Sequence, residues 1–124
     1  TSFRITAGPD ASRHIEHRIA GADANPYLAL AALLAGVHHG LMGRIDPGPP
    51  VIGDGYAAAE ADPAAAALPG DWFAAVRAME AGTILPAYFG KATLAMFASV
   101  KRTEQERYMA VVPALDYDWV LANA

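Results

Sequence analysis

A chain of 124 residues with a formal net charge of −4 holds enough material for one domain and not comfortably for two. The mild acidity gives no general attraction to nucleic acid, so any basic character would have to be local. No cysteine is present, which removes disulfides and thiolate chemistry and leaves the redox compartment open. No signal peptide is visible, and the chain opens on Thr1 just before strand-like sequence, so a piece of a longer protein is expected.

Phe3 to Thr6 alternates as a strand should, with Arg4 and Thr6 on one face and Phe3 and Ile5 on the other. Gly8-Pro9-Asp10 signals a turn. The run His14-Ile15-Glu16-His17-Arg18-Ile19 then predicts a second strand, pairing back antiparallel on the first. In such a strand His14, Glu16 and Arg18 share one face, and Arg4 can join them, although register is not fixed by the sequence. A carboxylate between cationic groups allows two readings. It is an internally neutralised surface ladder, or a site that handles a metal and an anion together.

Asn25 followed by Pro26 is helix-start chemistry. The Asn side chain accepts from a free backbone N–H, and proline at the first helical position lacks the N–H that would go unpaired. Leu30, Leu34, Val37 and Leu41 form one apolar stripe, and Leu28, Ala31, Ala32, Leu33 and Ala35 make the other faces apolar too. Residues 26–43 are therefore expected to form a buried central helix. A membrane span is not expected, because the run falls short of the roughly 20 apolar residues required and His38-His39 interrupt it. So short a chain has trouble covering this helix on all sides, so cover is expected from absent sequence or from a partner subunit. Adjacent on a helix, His38 and His39 point about 100° apart and are not read as chelating one ion. His17, on the opposite strand face from Glu16, is read as structural.

Residues 44–69 read as a connection rich in Pro, Gly and Ala, with the breakers Pro47-Gly48-Pro49-Pro50 and Gly53-Asp54-Gly55 and an alanine-rich run cut by Pro63. Asp71 should cap a helix carrying the stripe Trp72, Val76 and Met79, with Arg77 paired to Glu80 and Gly82 as its stop. Thr83 to Phe89 reads as a short turn containing Pro86. A long helix is predicted from Gly90 to about Ala110. Its first half is apolar (Leu94, Met96, Phe97, Val100) and its second half charged, with pairs such as Arg102–Glu106 and Glu104–Arg107. Pro113 breaks it, and a last helix is expected around Asp116 to Asn123. The fold class is thus mainly α with a short two-stranded antiparallel β piece at the N-terminus.

The run HIEHRIAGADANPYLALAALLAG resembles the C-terminal part of the catalytic domain of glutamine synthetases, especially the relatives that join glutamate to amines and polyamines. Glu16-x-Arg18, the short acidic loop, Asn25-Pro26-Tyr27-Leu28 and the alanine-leucine helix carry the likeness. The C-terminal half, with Leu68-Pro69, Lys101, Glu104, Glu106-Arg107-Tyr108 and Trp119, fits more loosely. The resemblance implies an ATP-dependent reaction in which the glutamate side-chain carboxylate is phosphorylated and ammonia or an amine then displaces phosphate. Carried over by position, Glu16 is implied as a ligand to Mg2+ or Mn2+, and hard carboxylate oxygens suit either ion. Arg18 is implied to grip the glutamate substrate through its guanidinium fork, and Arg4 to act in catalysis by stabilising the phosphoryl group in transfer.

The family commonly has arginine two places before the metal-binding glutamate. Here that place is His14, with Arg13 beside it, so Arg13 and His14 join Arg4 as nucleotide-side candidates. A lysine often found between Arg4 and that position is replaced, with Ala11 or Ser12 nearby. Both departures favour the amine-using relatives over a glutamine synthetase proper. The resemblance further implies ATP, glutamate and ammonia or an amine as partners, a homo-oligomeric assembly, a cytoplasmic setting, and neither nucleic acid nor membrane. The family's remaining carboxylates and histidine lie on upstream strands, so this chain alone is expected to be inactive and to need the N-terminal part of the same protein. A helical interaction or structural domain that keeps the packing without the chemistry is the competing reading.

Overall fold

A three-residue strand built on alternating residues needs a partner with the same period, and the first twenty residues supply it. In the computed structural model, which describes residues 2–57 and 68–121, β1 (Phe3–Ile5) pairs antiparallel with β2 (Ile15–His17) as a two-stranded sheet. The register sets Phe3 opposite His17, Arg4 opposite Glu16 and Ile5 opposite Ile15. Two further backbone bonds extend the ladder: Thr6 N–H donates to the His14 carbonyl and Arg18 N–H to the Ser2 carbonyl. Gly8, at φ +149°, starts the connection, and a single 3-10 turn spans Asp10–Ser12. The Ser12 hydroxyl locks that turn by donating to the Pro9 carbonyl at 3.0 Å.

Helix α1 (Pro26–Gly43) starts where the Asn-Pro signal places it. The Asn25 side-chain oxygen accepts from the Tyr27 and Leu28 N–H groups at 3.0 and 3.2 Å. The helix ends on Arg44 in the left-handed region (φ 48°), whose N–H caps the Gly40 and Leu41 carbonyls. The burial expected of α1 is not seen among the described residues: within the helix only Ala35 is buried, while Leu30, Leu34, Val37 and Leu41 are exposed. The reason is a missing layer, since no described element of the same unit packs along the helix. By length and composition α1 is also the one described helix that would suit a membrane span.

The chain divides into two compact units, Thr1–Ala67 and Leu68–Ala124. The second is helical. Asp71 caps α2 (Trp72–Ala81) by accepting from Ala74 N–H at 2.7 Å. Residues 84–89, expected as a turn, form a short helix α3 (Ile84–Phe89). Pro86 is its third residue, within the first turn, where a missing N–H costs no helical hydrogen bond. After Gly90, at φ +78°, the long α4 (Lys91–Met109) packs against both α2 and α3. A last helix, α5, covers Ala114–Val120. The predicted end at Asn123, like the alanine-rich run 58–67, lies outside the described residues.

Val76, Ala98 and the side chain of Gln105 are buried in this unit, and Trp72 meets Tyr108 edge-on across α2 and α4 (centroids 6.2 Å apart). The apolar stripe of α2 thus does face a neighbour, although Trp72 itself keeps much of its surface in solvent. The charge pairing differs from the helix-local expectation. Glu80 bonds Arg102 across α2 and α4 instead of Arg77 in its own helix, and Lys101, not Arg107, bonds Glu104 at 2.7 Å. For Glu80 the adjacent helix wins over the residue three places back, whereas Lys101–Glu104 stays within α4 as an i,i+3 pair.

Candidate functional site

The even-numbered face of the strand pair carries the polar side chains. Because Arg4 and Glu16 are directly opposite in the ladder, their side chains leave the same face a short distance apart. Arg4 Nη2 donates to Glu16 Oε1 at 2.6 Å. His14 lies on that face too, with Nε2 3.9 Å from the same Oε1. Its Nδ1 is 2.9 Å from the Ser12 carbonyl, which can only accept, so Nδ1 carries the proton and Nε2 is left facing the carboxylate. Arg18 follows two residues on, and its positive charge reaches Glu16. The odd-numbered face is different in kind, with the Phe3 and His17 rings in tilted contact at 5.3 Å beside Ile5 and Ile15. His17 therefore packs, away from the polar cluster.

Electrostatics follow the geometry. The hydrogen bond from Arg4 is the main cause holding the Glu16 carboxyl below the ordinary carboxylate range. Partial desolvation opposes this, and the charges of Arg4, His14 and Arg18 add to it. The same bond raises the Arg4 guanidinium above its usual value. Glu16 is thus an ionised carboxylate at neutral pH, half-buried, with Arg4 on Oε1 and no hydrogen bond to Oε2 among the described residues.

Four of the five candidate residues come together: Arg4, His14, Glu16 and Arg18. Arg13 does not join them. It turns back to Asp10 at 2.8 Å in an exposed pair that belongs to the connecting turn. A hard divalent cation takes six or more oxygen ligands, and Glu16 Oε2 fits the part of one of them. The described residues contain no cluster of three or more His, Cys, Asp or Glu side chains, so the set present here supplies a single carboxylate ligand. The proximity of His14 to Glu16 follows the shared strand face that the sequence placed them on. Its signal was the period-2 spacing of the two residues.

Comparison with known proteins bears on what this face serves. The family model described as "Glutamine synthetase, catalytic domain" matches residues 1–120. Gamma-glutamylputrescine synthetase of Escherichia coli (strain K12) is 28% identical over 123 residues, 99% of this chain and 25% of that protein. Gamma-glutamylethanolamide synthetase of Streptomyces coelicolor is 32% identical over 117 residues, 94% of this chain and 23% of that protein. Glutamate–isopropylamine ligase of a Pseudomonas species is 41% identical over 66 residues, 52% of this chain and 14% of that protein. The chain spans about a quarter or less of the length of each of these relatives. No solved structure matches significantly. With the family model covering nearly its whole length, the chain belongs to the glutamine synthetase catalytic-domain family.

Proposed function

We propose that this chain is the C-terminal portion of an ATP-dependent glutamate–amine ligase, and that it is inactive without the rest of the catalytic domain. In the reaction, a side-chain carboxylate oxygen of glutamate attacks the terminal phosphorus of ATP and ADP leaves, giving γ-glutamyl phosphate. The amine nitrogen then attacks the acyl carbon, the C–O bond to phosphate breaks, and the nitrogen gives up a proton. Arg18 holds a substrate carboxylate, for which a planar guanidinium fork is suited. Arg4 stands beside the transferred phosphoryl group, where positioning and neutralisation dominate the chemistry. Its bond to Glu16 aims the guanidinium and keeps the carboxylate ionised. A bound Mg2+ or Mn2+ would neutralise charge on the terminal phosphate, and Glu16 Oε2 is the oxygen this chain offers it. His14 adds a neutral or cationic imidazole on the nucleotide side.

The observation that carries this reading is the Arg4–Glu16 pair at 2.6 Å, with His14 and Arg18 at its edges on one strand face. An amine is favoured over ammonia as acceptor because the names of the three relatives specify putrescine, ethanolamide and isopropylamine products or substrates. One carboxylate cannot assemble a hard-cation site alone, which supports inactivity of the chain by itself.

The test uses the full-length protein that contains this chain. With ATP, Mg2+ and glutamate, phosphate release is expected to depend on an added amine, with putrescine, ethanolamine or isopropylamine preferred to ammonia. Ammonia as the best acceptor would replace the amine assignment with glutamine synthesis, and no acceptor-dependent release would remove the ligase reading. Phosphate release by the 124-residue chain above a Glu16→Ala control would overturn its inactivity.

A further inference from the structure

The His14 ring is held in a way that decides which of its nitrogens is free. Nδ1 lies 2.9 Å from the Ser12 carbonyl and 3.3 Å from the Thr6 hydroxyl. A carbonyl only accepts, so the ring proton sits on Nδ1. The His14 backbone N–H donates to the same Thr6 hydroxyl at 3.4 Å, which ties the residue to β1 from its main chain as well. Nε2 is left with a lone pair, and it faces the Glu16 carboxylate with 3.9 Å between Nε2 and Oε1. Two lone-pair atoms thus look at each other with no hydrogen between them. Arg4 takes Oε1, and Oε2 has no hydrogen bond among the described residues. An imidazole whose far N–H donates to a backbone carbonyl is the usual arrangement of a metal-ligating histidine, because that bond fixes the tautomer and aims the ring. Two ligands of one octahedral ion, each about 2.1 Å from it, stand roughly 3 Å apart when adjacent and about 4.2 Å apart when opposite. The separation of His14 and Glu16 falls inside that span.

We propose that His14 Nε2 is a second ligand, beside the Glu16 carboxylate, to the divalent ion of the parent protein, and that it biases the site toward Mn2+ over Mg2+. The inference deepens the metal role given to Glu16 and rests on it. It raises this chain's share of the ligand set from one group to two, the remainder coming from water and from residues outside the chain. The bias follows from ligand chemistry. Mg2+ keeps to oxygen and sheds water reluctantly, whereas an imidazole nitrogen is a ligand of transition-metal ions. The arginine common at this position in the family has no lone pair to offer, so the role belongs to the histidine found here. Exposure agrees with it, since the His14 side chain keeps 63% of its surface open and its Nε2 edge is accessible to an arriving ion.

The test uses the full-length protein that contains this chain, with Mn2+ and Mg2+ as the probes and neither nucleotide nor substrate present. Pulsed EPR of the Mn2+-loaded protein is expected to show a directly bound histidine nitrogen that is lost in His14→Ala. Mn2+ affinity, from EPR titration of the free ion, should fall at least about tenfold in that variant, the scale lost when even a supporting partner of a metal ligand is removed. Mg2+ affinity, from calorimetry, should stay within about threefold, because oxygen ligands and water carry it. Retained Mg2+ binding also shows that the variant's site is folded. Glu16→Ala separates this proposal from the reading beneath it, and should weaken both ions. If Glu16→Ala leaves both affinities unchanged, the metal role of Glu16 falls and the proposal falls with it. If Glu16→Ala weakens binding while His14→Ala keeps the nitrogen signal or the Mn2+ affinity, only the role of His14 is overturned. Equal loss of Mn2+ and Mg2+ in His14→Ala would make the imidazole a support for the strand pair, and overturns its role as a ligand too.

Discussion

The two units of the chain divide the proposed chemistry from packing. The first carries Arg4, His14, Glu16 and Arg18 on a ribbon of two three-residue strands, beside a helix whose only buried residue is Ala35. The second has helices packed on helices around Val76, Ala98 and Gln105, and none of the residues that the family likeness assigns to catalysis. An isolated two-stranded ribbon is marginally stable in water. The polar face is therefore defined by the register of the pair, and no other described element of this unit makes an extensive contact with it. A helix that is apolar all round, left exposed, gives the same answer from the other side of the unit.

The largest contrast expected between the units is functional. In the full-length protein that contains this chain, the proposed ligase role predicts that Arg18→Ala lowers kcat/KM for glutamate tenfold or more, since a lost charge-assisted hydrogen bond is typically about 1.5–3 kcal/mol. Arg107→Ala, at the exposed charged end of α4, should leave turnover within twofold. Steady-state kinetics on the two variants decides it. Equal losses would erase the separation of site from scaffold, and an unchanged Arg18→Ala would favour the interaction-domain alternative.

Next comes stability. Both tryptophans, Trp72 and Trp119, lie in the second unit, so tryptophan fluorescence during denaturant unfolding reports on that unit alone. Val76→Ala removes buried methyl groups and should cost about 2 kcal/mol. Val37→Ala, on the exposed α1, should be followed by amide exchange of that helix and stay within about 0.5 kcal/mol. A large effect at Val37 would mean that the chain covers α1 in solution after all.

Smaller again are the caps, which the two units share. Asp71→Ala and Asn25→Ala each remove an acceptor for free helix N–H groups, at about 1 kcal/mol. Asp71→Ala should lower the fluorescence-detected midpoint, and Asn25→Ala should speed amide exchange in the first turn of α1.

The features legible in the sequence share one property, that they depend on neighbours within a few residues. The Asn25-Pro26 start, the Asp71 cap and the period-2 faces of both strands are of this kind, and so is the Glu16–Arg18 spacing that supported the site. The features that were not legible depend on what arrives from elsewhere in the chain. Glu80 chose Arg102, 22 residues away, over its helical neighbour Arg77, because α4 presents a guanidinium at closer range. The expected burial of α1 was not legible for the same reason in reverse: apolarity predicts a covered helix, and no described element of its unit packs along it. Pro86 misled through a local rule applied in the wrong place, since proline breaks a helix interior and is tolerated in a first turn.

The smallest expected effect is the titration of Glu16, and it probes the polar face most directly. Its carboxyl is held low chiefly by the Arg4 hydrogen bond. A lowered folded-state value means that the carboxylate's contribution to the strand pair is complete above the ordinary carboxylate range. It fades as pH falls through that range and is lost below the lowered value. The exposure of Arg4 and the partial exposure of Glu16 keep the stability change small, so the proper readout is the side-chain carboxyl carbon shift of Glu16 by NMR. Wild type should titrate below an ordinary glutamate, and Arg4→Gln should return it most of the way, because the principal cause is gone. His14→Ala should move it less, its imidazole standing 3.9 Å off. If Arg4→Gln left the titration where it was, the strand register that sets Arg4 against Glu16 would not be the one populated in solution, and the shared face would lose its geometric basis.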